Sequence, residues 1–222
     1  MSGQYAHIMT ADEAVALIEP EQTVMIGGFV TVGSPHTLID ALVRRGTRPI
    51  RLIVTDNGFE DRGIGRLIVN RQVSQEFVSH IGLCPETGRQ MAAGEMDVTL
   101  VPQGTLIEQI RASGAGLGGV LTPTGLGTAV EQGKPKIQVD GREYLLEKPL
   151  RADVALIRAY RADRQGNLVY RRVMRNFNPT MATAARLTIA EVDEVVEVGD
   201  LDPEHVETPF VYVDILVGCV IR

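Results

Sequence analysis

Met25-Ile26-Gly27-Gly28-Phe29-Val30-Thr31-Val32-Gly33-Ser34-Pro35 is the stretch on which the reading of this chain turns. An apolar run, Thr23–Ile26, breaks into a glycine pair, and a third glycine stands just before Ser34-Pro35. His36-Thr37-Leu38-Ile39-Asp40-Ala41-Leu42-Val43 then places apolar residues at helical spacing. The order is strand, glycine loop, helix start. Ser34 suits the N-cap and Pro35 the first helical position, where no N–H is missed. Glycines let main chain come close to a ligand, and unpaired N–H groups at a helix start attract negative charge. Two readings stand at this point: a loop that holds an anionic group, or a tight strand-to-helix turn with no ligand.

Outward from that stretch, strand and helix patterns alternate. Thr10 and Glu13 have the spacing of a capping box on a helix over residues 10–18, ended by Glu19-Pro20-Glu21. Strands are read at 23–26, 50–54, 75–81 and 97–102. Helices run from 36 to a stop near Gly46, over 66–69, from Pro85 to Gly94, and from 105 to 114 after Gln103-Gly104. This alternation predicts an α/β fold with a mostly parallel sheet flanked by helices. Residues 114–127 are glycine-rich, and a structureless stretch of that length inside a compact chain is more often functional than idle. Asp140-Gly141 lies between Ile137-Gln138-Val139 and Glu143-Tyr144-Leu145-Leu146, the pattern of a tight hairpin. Strand 153–157, a turn at 163–167 before Leu168-Val169-Tyr170, a helix at 181–185 and separate strands at 188–192 and 195–198 complete the pass. No internal repeat and no domain boundary is evident, so one domain over residues 1–222 is expected.

With 222 residues, 44% hydrophobic and 23% charged, the composition is that of an ordinary globular protein. The net charge of -6, with Lys and Arg scattered, argues against a nucleic-acid surface, while leaving room for a local basic patch that receives an acidic ligand. Residues 1–10 lack a signal-peptide pattern, and no apolar run is long enough to span a bilayer, so a soluble cytoplasmic protein without membrane contact is expected. Cys84 and Cys219 lack metal spacing and read as reduced thiols, with a disulfide as the alternative.

Gly114-Ala115-Gly116-Leu117-Gly118-Gly119 satisfies G-x-G-x-x-G, but it follows a helix and runs into Thr122-Pro123, the wrong context for a dinucleotide fingerprint. His7, His36, His80 and His205 show no zinc spacing, and His36 reads as a solvated residue of the first helical turn after the loop. Asp56, Glu60 and Asp61 follow a strand end, where a carboxylate can serve as nucleophile or base, or can cap a helix or face solvent. Gln103 also leaves a strand end; its amide can hold a developing oxyanion without adding charge, or it is a polar helix-entry residue. The residues thus supply several ligand-holding loops and no complete catalytic machine.

Gly27-Gly28-Phe29-Val30-Thr31-Val32-Gly33-Ser34-Pro35 resembles the G-G-F-x-x-x-G-x-P signature of the class I coenzyme A transferases. Further matches follow in that family's order: Pro102-Gln103-Gly104-Thr105-Leu106, Gly114-Ala115-Gly116 with Thr122-Pro123-Thr124-Gly125, Asp153-Val154-Ala155-Leu156-Ile157, Gly166-Asn167-Leu168 and Arg175-Asn176-Phe177-Asn178-Pro179. Ile64-Gly65-Arg66-Leu67-Ile68-Val69-Asn70, Ser79-His80-Ile81-Gly82 and Pro85-Glu86-Thr87-Gly88-Arg89 look like the alpha subunits of the branch that acts on acetate and acetoacetate. The 3-oxoadipate and succinyl-CoA:3-ketoacid branches carry an Asn-Asn-Ala-Gly run in place of Asp56-Asn57-Gly58-Phe59.

The resemblance implies the CoA-transferase fold and a ping-pong transfer of CoA between an acyl-CoA and a free carboxylate through a glutamyl–CoA thioester. It implies short-chain acids such as acetate, acetoacetate or butyrate, a CoA thioester as substrate, and no metal or permanently bound cofactor. In members split into two chains the glutamate belongs to the beta subunit, in a Ser-Glu-Asn-Gly motif. The nearest string here is Thr55-Asp56-Asn57-Gly58, with a carboxylate one methylene shorter. The chain is therefore expected to be inactive alone and to build half of a shared site in an α2β2 heterotetramer. By the same resemblance Gly27, Gly28, Phe29, Val30, Thr31, Val32 and Gly33 bind CoA, Gln103 belongs to the oxyanion hole, and Thr122, Pro123, Thr124 and Gly125 line the acyl pocket. The rivals are a 3-oxoadipate or succinyl-CoA:3-oxoacid CoA-transferase subunit and a non-catalytic anion-binding module of the same fold.

Overall fold

A computed structural model of the chain describes residues 5–218; residues 1–4 of the N-terminal segment read above, and Cys219, lie outside it. The first half runs β1 (His7–Ile8), α1 (Ala11–Val15), β2 (Thr23–Ile26), α2 (His36–Arg45), β3 (Ile50–Asp56), α3 (Gly65–Val69), β4 (Val73–His80), α4 (Pro85–Ala92), β5 (Asp97–Leu100) and α5 (Gln103–Gly114). The second half runs β6 (Val120–Thr122), β7 (Lys136–Val139), β8 (Arg142–Glu147), β9 (Ala152–Asp163), β10 (Leu168–Val169), α6 (Asn178–Ala182), β11 (Ala185–Val196) and β12 (Ile215–Gly218), with short 3-10 turns between.

The main sheet has the order β1-β12-β11-β9-β2-β3-β4-β5, every neighbouring pair parallel, with β10 added antiparallel to β9. Its strands are apolar on both faces because both faces are covered. Val24, Ile26, Leu52, Val54, Val154 and Leu156 bury into one core with α1, α2 and α3. Met25, Ile53, Ala155 and Ile157, one residue out of step, bury into a second core with α5 and α6. Thr10 and Glu13 form the expected capping box on α1, and Gly46 ends α2 in the left-handed conformation.

β9 and β11 run well past the strands read from sequence, and residues 188–192 and 195–198 belong to one strand, not two. Asp193-Glu194 interrupts the apolar pattern without interrupting the ladder. Glu191 lies opposite Arg158 and Glu194 opposite Arg161. Arg158 pairs with Asp193 at 2.7 Å, Arg161 with Glu194 at 2.6 Å and Arg164 with Glu197 at 2.5 Å, so ion pairs support the ladder where Ala159, Ala162, Val192 and Val195 stay in the second core.

β6, β8 and β7 form a separate three-stranded antiparallel sheet beside α5. Asp140 and Gly141 both take positive φ, 48° and 74°, as the predicted hairpin turn requires. The glycine-rich stretch 114–127 is not structureless: it closes α5, carries β6 and turns through residues 123–128. Its G-x-G-x-x-G follows a helix, as the sequence context indicated. Helix 181–185 is displaced to Asn178–Ala182, with Ala185 already in β11. Among the described residues no helix is long and apolar enough to cross a membrane.

Candidate active site

β2, β3, β4 and β5 are laid down outward in one direction, and the chain then returns to place β9 on the other side of β2. The winding reverses between β2 and β9, and a crevice opens beyond the carboxyl ends of the strands at such a point. The glycine loop leaves β2 there. Gly27 N–H extends the ladder to Leu156 C=O at 2.9 Å, and Phe29 and Val32 exchange main-chain hydrogen bonds in both directions, at 3.0 and 2.9 Å. The tip residues Val30 and Thr31 consequently sit at φ 45° and 69°, a strained region for β-branched side chains.

Such strain persists only where neighbours over-determine it. On one side Val30 N–H donates to Asp56 Oδ2 at 2.9 Å, Thr55 Oγ1 lies 2.9 Å from Gly28 O, and His36 Nε2 lies 2.9 Å from Thr31 O. His36 is therefore a brace for the loop as well as a first-turn residue. On the other side Asn178 Nδ2 donates to Gly33 O at 2.9 Å and Asn176 Nδ2 to Val32 O at 3.1 Å. The braced tip holds Phe29 and Val32 about half exposed, at 49% and 50%, above the crevice.

The helix start after the loop differs from expectation. Pro35, not Ser34, is the N-cap of α2, and neither side chain caps it. Ser34 is buried, packed against Gly28. Glu191 supplies the cap: its Oε2 accepts from Thr37 N at 2.8 Å and Leu38 N at 3.1 Å, with Arg158 at 3.5 Å. Burial pushes its carboxyl up, opposed by those amides and by Arg158. The positive end of α2 is thus taken by the protein's own carboxylate, and any anion held by the loop is held elsewhere on it.

Beyond β3 the chain repeats the same device. Gly58-Phe59 and Gly63 echo Gly28-Phe29 and Gly33, Phe59 bridges Arg62 as Phe29 bridges Val32, and all but Gly28 of the four glycines fall at φ between 59° and 70°. The echo spans only six residues, too short to stand out as an internal repeat of the sequence. The carboxylates at this strand end are occupied. Asp56 is 4% exposed; Oδ2 takes Val30 N–H and the Thr55 hydroxyl, and Oδ1 takes Gly58 N–H at 2.8 Å. Glu60 accepts from Glu86 N at the start of α4, and Asp61 is exposed beside Arg62.

Beneath this second loop lies a carboxyl that the sequence reading missed. Glu76 of β4 is fully buried, with Oε1 accepting from Asn57 Nδ2 at 3.1 Å, and burial pushes it up to about 7. The native state then binds its proton more tightly than the unfolded chain, so this contribution to stability is full below about 4.5 and is lost as pH rises through about 7. Glu76→Gln is expected to raise stability at pH 8 by about 3 kcal/mol at most, with little gain at pH 5. Thermal melts at the two pH values check this; equal gains at both would refute it.

Gln103, the first residue of α5, joins the same strand-end platform. Ser79 Oγ of β4 lies 2.6 Å from Thr55 O and touches Gln103 Oε1. A chain of close polar contacts therefore runs from Gly28 through Thr55 and Ser79 to Gln103, in which each hydroxyl shares its one proton between two acceptor oxygens. With its oxygen engaged, the exposed Gln103 amide has two Nε2 hydrogens without a partner among the described residues. Thr122, Pro123, Thr124 and Gly125 lie at the end of β6 in the small sheet, and no hydrogen bond among the described residues ties them to Gln103 or to the glycine loop. Two adjoining grooves flank the loop: an apolar one of about 640 Å³ along Phe29, Val32 and Val173, and one of about 350 Å³ along Gly33, Arg171 and Arg172.

Comparison with known proteins gives this arrangement a family. The sequence pattern of the family described as Coenzyme A transferase matches residues 8–218. The chain is 55% identical over 207 residues to the acetate CoA-transferase subunit alpha of Escherichia coli K12, covering 93% of this chain and 94% of that one. It is 48% identical over 195 residues to the acetoacetyl-CoA:acetate/butyrate CoA transferase alpha subunit of Clostridium acetobutylicum, covering 88% and 89%. An acyl-CoA transferase from E. coli O157:H7, solved as a thioester complex with CoA, superposes with a TM-score of 0.90 at 26% identity over 97% of this chain. This chain spans about half of that solved chain, 47% of its length. With a family match over nearly all its length and relatives this similar, the chain belongs to the coenzyme A transferase family, among its alpha subunits.

Proposed function

We propose that this chain is one domain, residues 1–222, that forms the alpha half of a cytoplasmic α2β2 enzyme moving CoA between a short-chain acyl-CoA and free acetate, acetoacetate or butyrate. Beyond the relatives' names, one observation carries the reading. The strand-end platform offers hydrogen-bond donors, while the carboxylate nearest the glycine loop, Asp56, has both oxygens committed to the loops it braces. A nucleophilic glutamate is then best supplied by the partner chain. Its carboxylate attacks the thioester carbonyl and CoA leaves as thiolate, giving an acyl–glutamyl anhydride. The thiolate attacks the glutamyl carbonyl, releasing the first acid and leaving a glutamyl–CoA thioester for the second acid. Each attack builds an oxyanion, for which Gln103 Nε2–H is the donor in this chain. The Gly27–Gly33 loop holds the CoA, and Thr122 to Gly125 line the acyl pocket once the site is assembled. No metal or redox cofactor takes part.

Incubating the assembled enzyme with acyl-CoA and borohydride, then mapping peptides by mass, is expected to place the modification on a glutamate of the partner. Modification at Asp56 would overturn the division of labour. Strong preference for succinyl-CoA over acetyl-CoA as donor would move the chain to the 3-oxoacid branch.

A further inference from the structure

The 3-10 turn Arg172–Arg175 and the residue before it carry two adjacent arginines, Arg171 and Arg172, at the edge of the glycine loop. Arg158, Arg161, Arg164 and Arg175 each pair with a carboxylate, Arg175 with Glu207 at 2.9 Å. Arg171 and Arg172 have no such partner among the described residues; Arg171 only stacks 5.3 Å from the Tyr160 ring. Arg142, Arg151 and Arg186 also lack a carboxylate partner among the described residues, but Arg171 and Arg172 stand side by side and line one groove. Arg172 is also held at φ 52°, which a non-glycine residue adopts at a cost.

Both arginines line the 350 Å³ groove together with Val32 and Gly33 of the glycine loop. Asp193 lines it too, with its Oδ1 held by Arg158 Nη2 at 2.7 Å; Arg158 also faces Glu191 at 3.5 Å, so the Asp193 charge is offset in part. Val32 and Val173 form the ridge shared with the apolar 640 Å³ groove. One side of the ridge is built for an anion and the other for uncharged surface. The positive end of α2 does not serve the anion, because Glu191 fills it.

We infer that Arg171 and Arg172 form the phosphate subsite of this chain, taking the phosphate groups at the nucleotide end of the CoA thioester while the apolar groove receives an uncharged part of the same molecule. The inference rests on the proposed CoA-transferase reading and deepens it. Guanidinium groups match phosphate oxygens in planar, charge-assisted pairs, which suits an anion that must be held firmly and released each cycle. The placement fits a long substrate: β4, whose Ser79 holds Gln103, lies three strand spacings from β9, about 14 Å. A thioester at Gln103 and a phosphate at the arginine turn are then opposite ends of one extended ligand.

The test uses the alpha chain assembled with its partner. The double variant Arg171→Gln/Arg172→Gln is expected to raise KM for the CoA thioester by about tenfold or more with kcat within about twofold, since these groups lie far from the reacting carbon. kcat/KM for the matching pantetheine thioester, which has no nucleotide phosphates, should be unchanged, and the double lysine variant, which keeps the charge but not the planar fork, should recover only part of the affinity lost in the glutamine variant. Calorimetry with free CoA on the same complexes should report the same weakening. An unchanged KM and CoA affinity, or equal losses for the pantetheine thioester, would overturn the inference. So would failure of the glutamine variant to assemble, which would make the turn a subunit contact. A wild-type complex that binds CoA through these arginines yet transfers it to no acid would uphold the subsite and overturn the proposed reaction.

Discussion

Gly27→Ala is expected to destabilise the chain by about 3–5 kcal/mol and to remove the activity of the assembled enzyme. A Cβ on Gly27 would stand 1.8 Å from Asn178 Oδ1 and 2.7 Å from its Cγ. That amide cannot yield cheaply. Asn178 is 0% exposed; its Oδ1 accepts from Arg158 N at 3.0 Å, and its Nδ2 donates to Gly33 O and Met174 O, both at 2.9 Å. Rotating it away leaves a partly buried N–H and two partly buried carbonyls short of a partner, each costing up to about 1–3 kcal/mol, on top of the overlap itself. Gly28 is fixed in the same way: at φ 124°, a Cβ would meet Ser34 Oγ at 2.0 Å and Ser34 Cα at 3.1 Å. Gly104 in α5 is the control, with nothing within 4 Å of its Cβ position, and Gly104→Ala should be neutral or stabilising by up to about 1 kcal/mol. Denaturant melts of the three variants decide the matter. A Gly27→Ala chain as stable as wild type would show that the Asn178 brace is not what requires the glycine.

That expectation alters what the glycine signature means. From sequence, the glycines read as room for main chain to approach a ligand. In the fold the first two glycines make room for the protein's own Asn178 and Ser34. The exposed part of the loop is the strained tip and the side chains of Phe29 and Val32. No local pattern could reveal this, since Asn178 lies 145 residues from Gly33 in the chain. The same holds for Glu191, whose contact with Leu38 spans 153 residues and replaces the serine cap that the local pattern suggested.

What was legible followed from burial. β2, β3 and the start of β9 are near-continuous apolar runs because a parallel sheet covered on both faces needs them. The Asp140-Gly141 hairpin was legible because its turn is specified by two adjacent residues. β1 was missed because it is two residues long and gains its ladder only by pairing with β12 at the far end of the chain. β11 was split in two because charged residues in a strand look like a break until Arg158 and Arg161 are seen across the ladder. Gln103 was legible as a residue but not as a positioned one. Its path to the glycine loop depends on Thr55 and Ser79, which lie in quoted stretches but whose contacts with Gly28 and Gln103 no local pattern shows.

Gln103→Ala is expected to cut kcat of the assembled enzyme by about 10²-fold while leaving KM for acyl-CoA within about twofold. The split follows from where the amide does its work. Gln103 is exposed at the start of α5 with no buried partner to orphan, so the fold should not register its loss. Its oxygen is engaged by Ser79, which leaves only donors to present to substrate. A neutral donor gains little from a thioester carbonyl already solvated in the ground state and much more from the full oxyanion that follows attack. Gln103→Glu makes the sharper test: it keeps the shape, replaces both donors with acceptors and adds a charge of the oxyanion's own sign. It should therefore be slower than the alanine variant. Ser79→Ala should give a smaller loss, because it frees the amide to turn without removing it. Wild-type kcat in the alanine variant, or a glutamate variant faster than alanine, would take Gln103 out of the oxyanion hole and leave the platform at the strand ends without its donor.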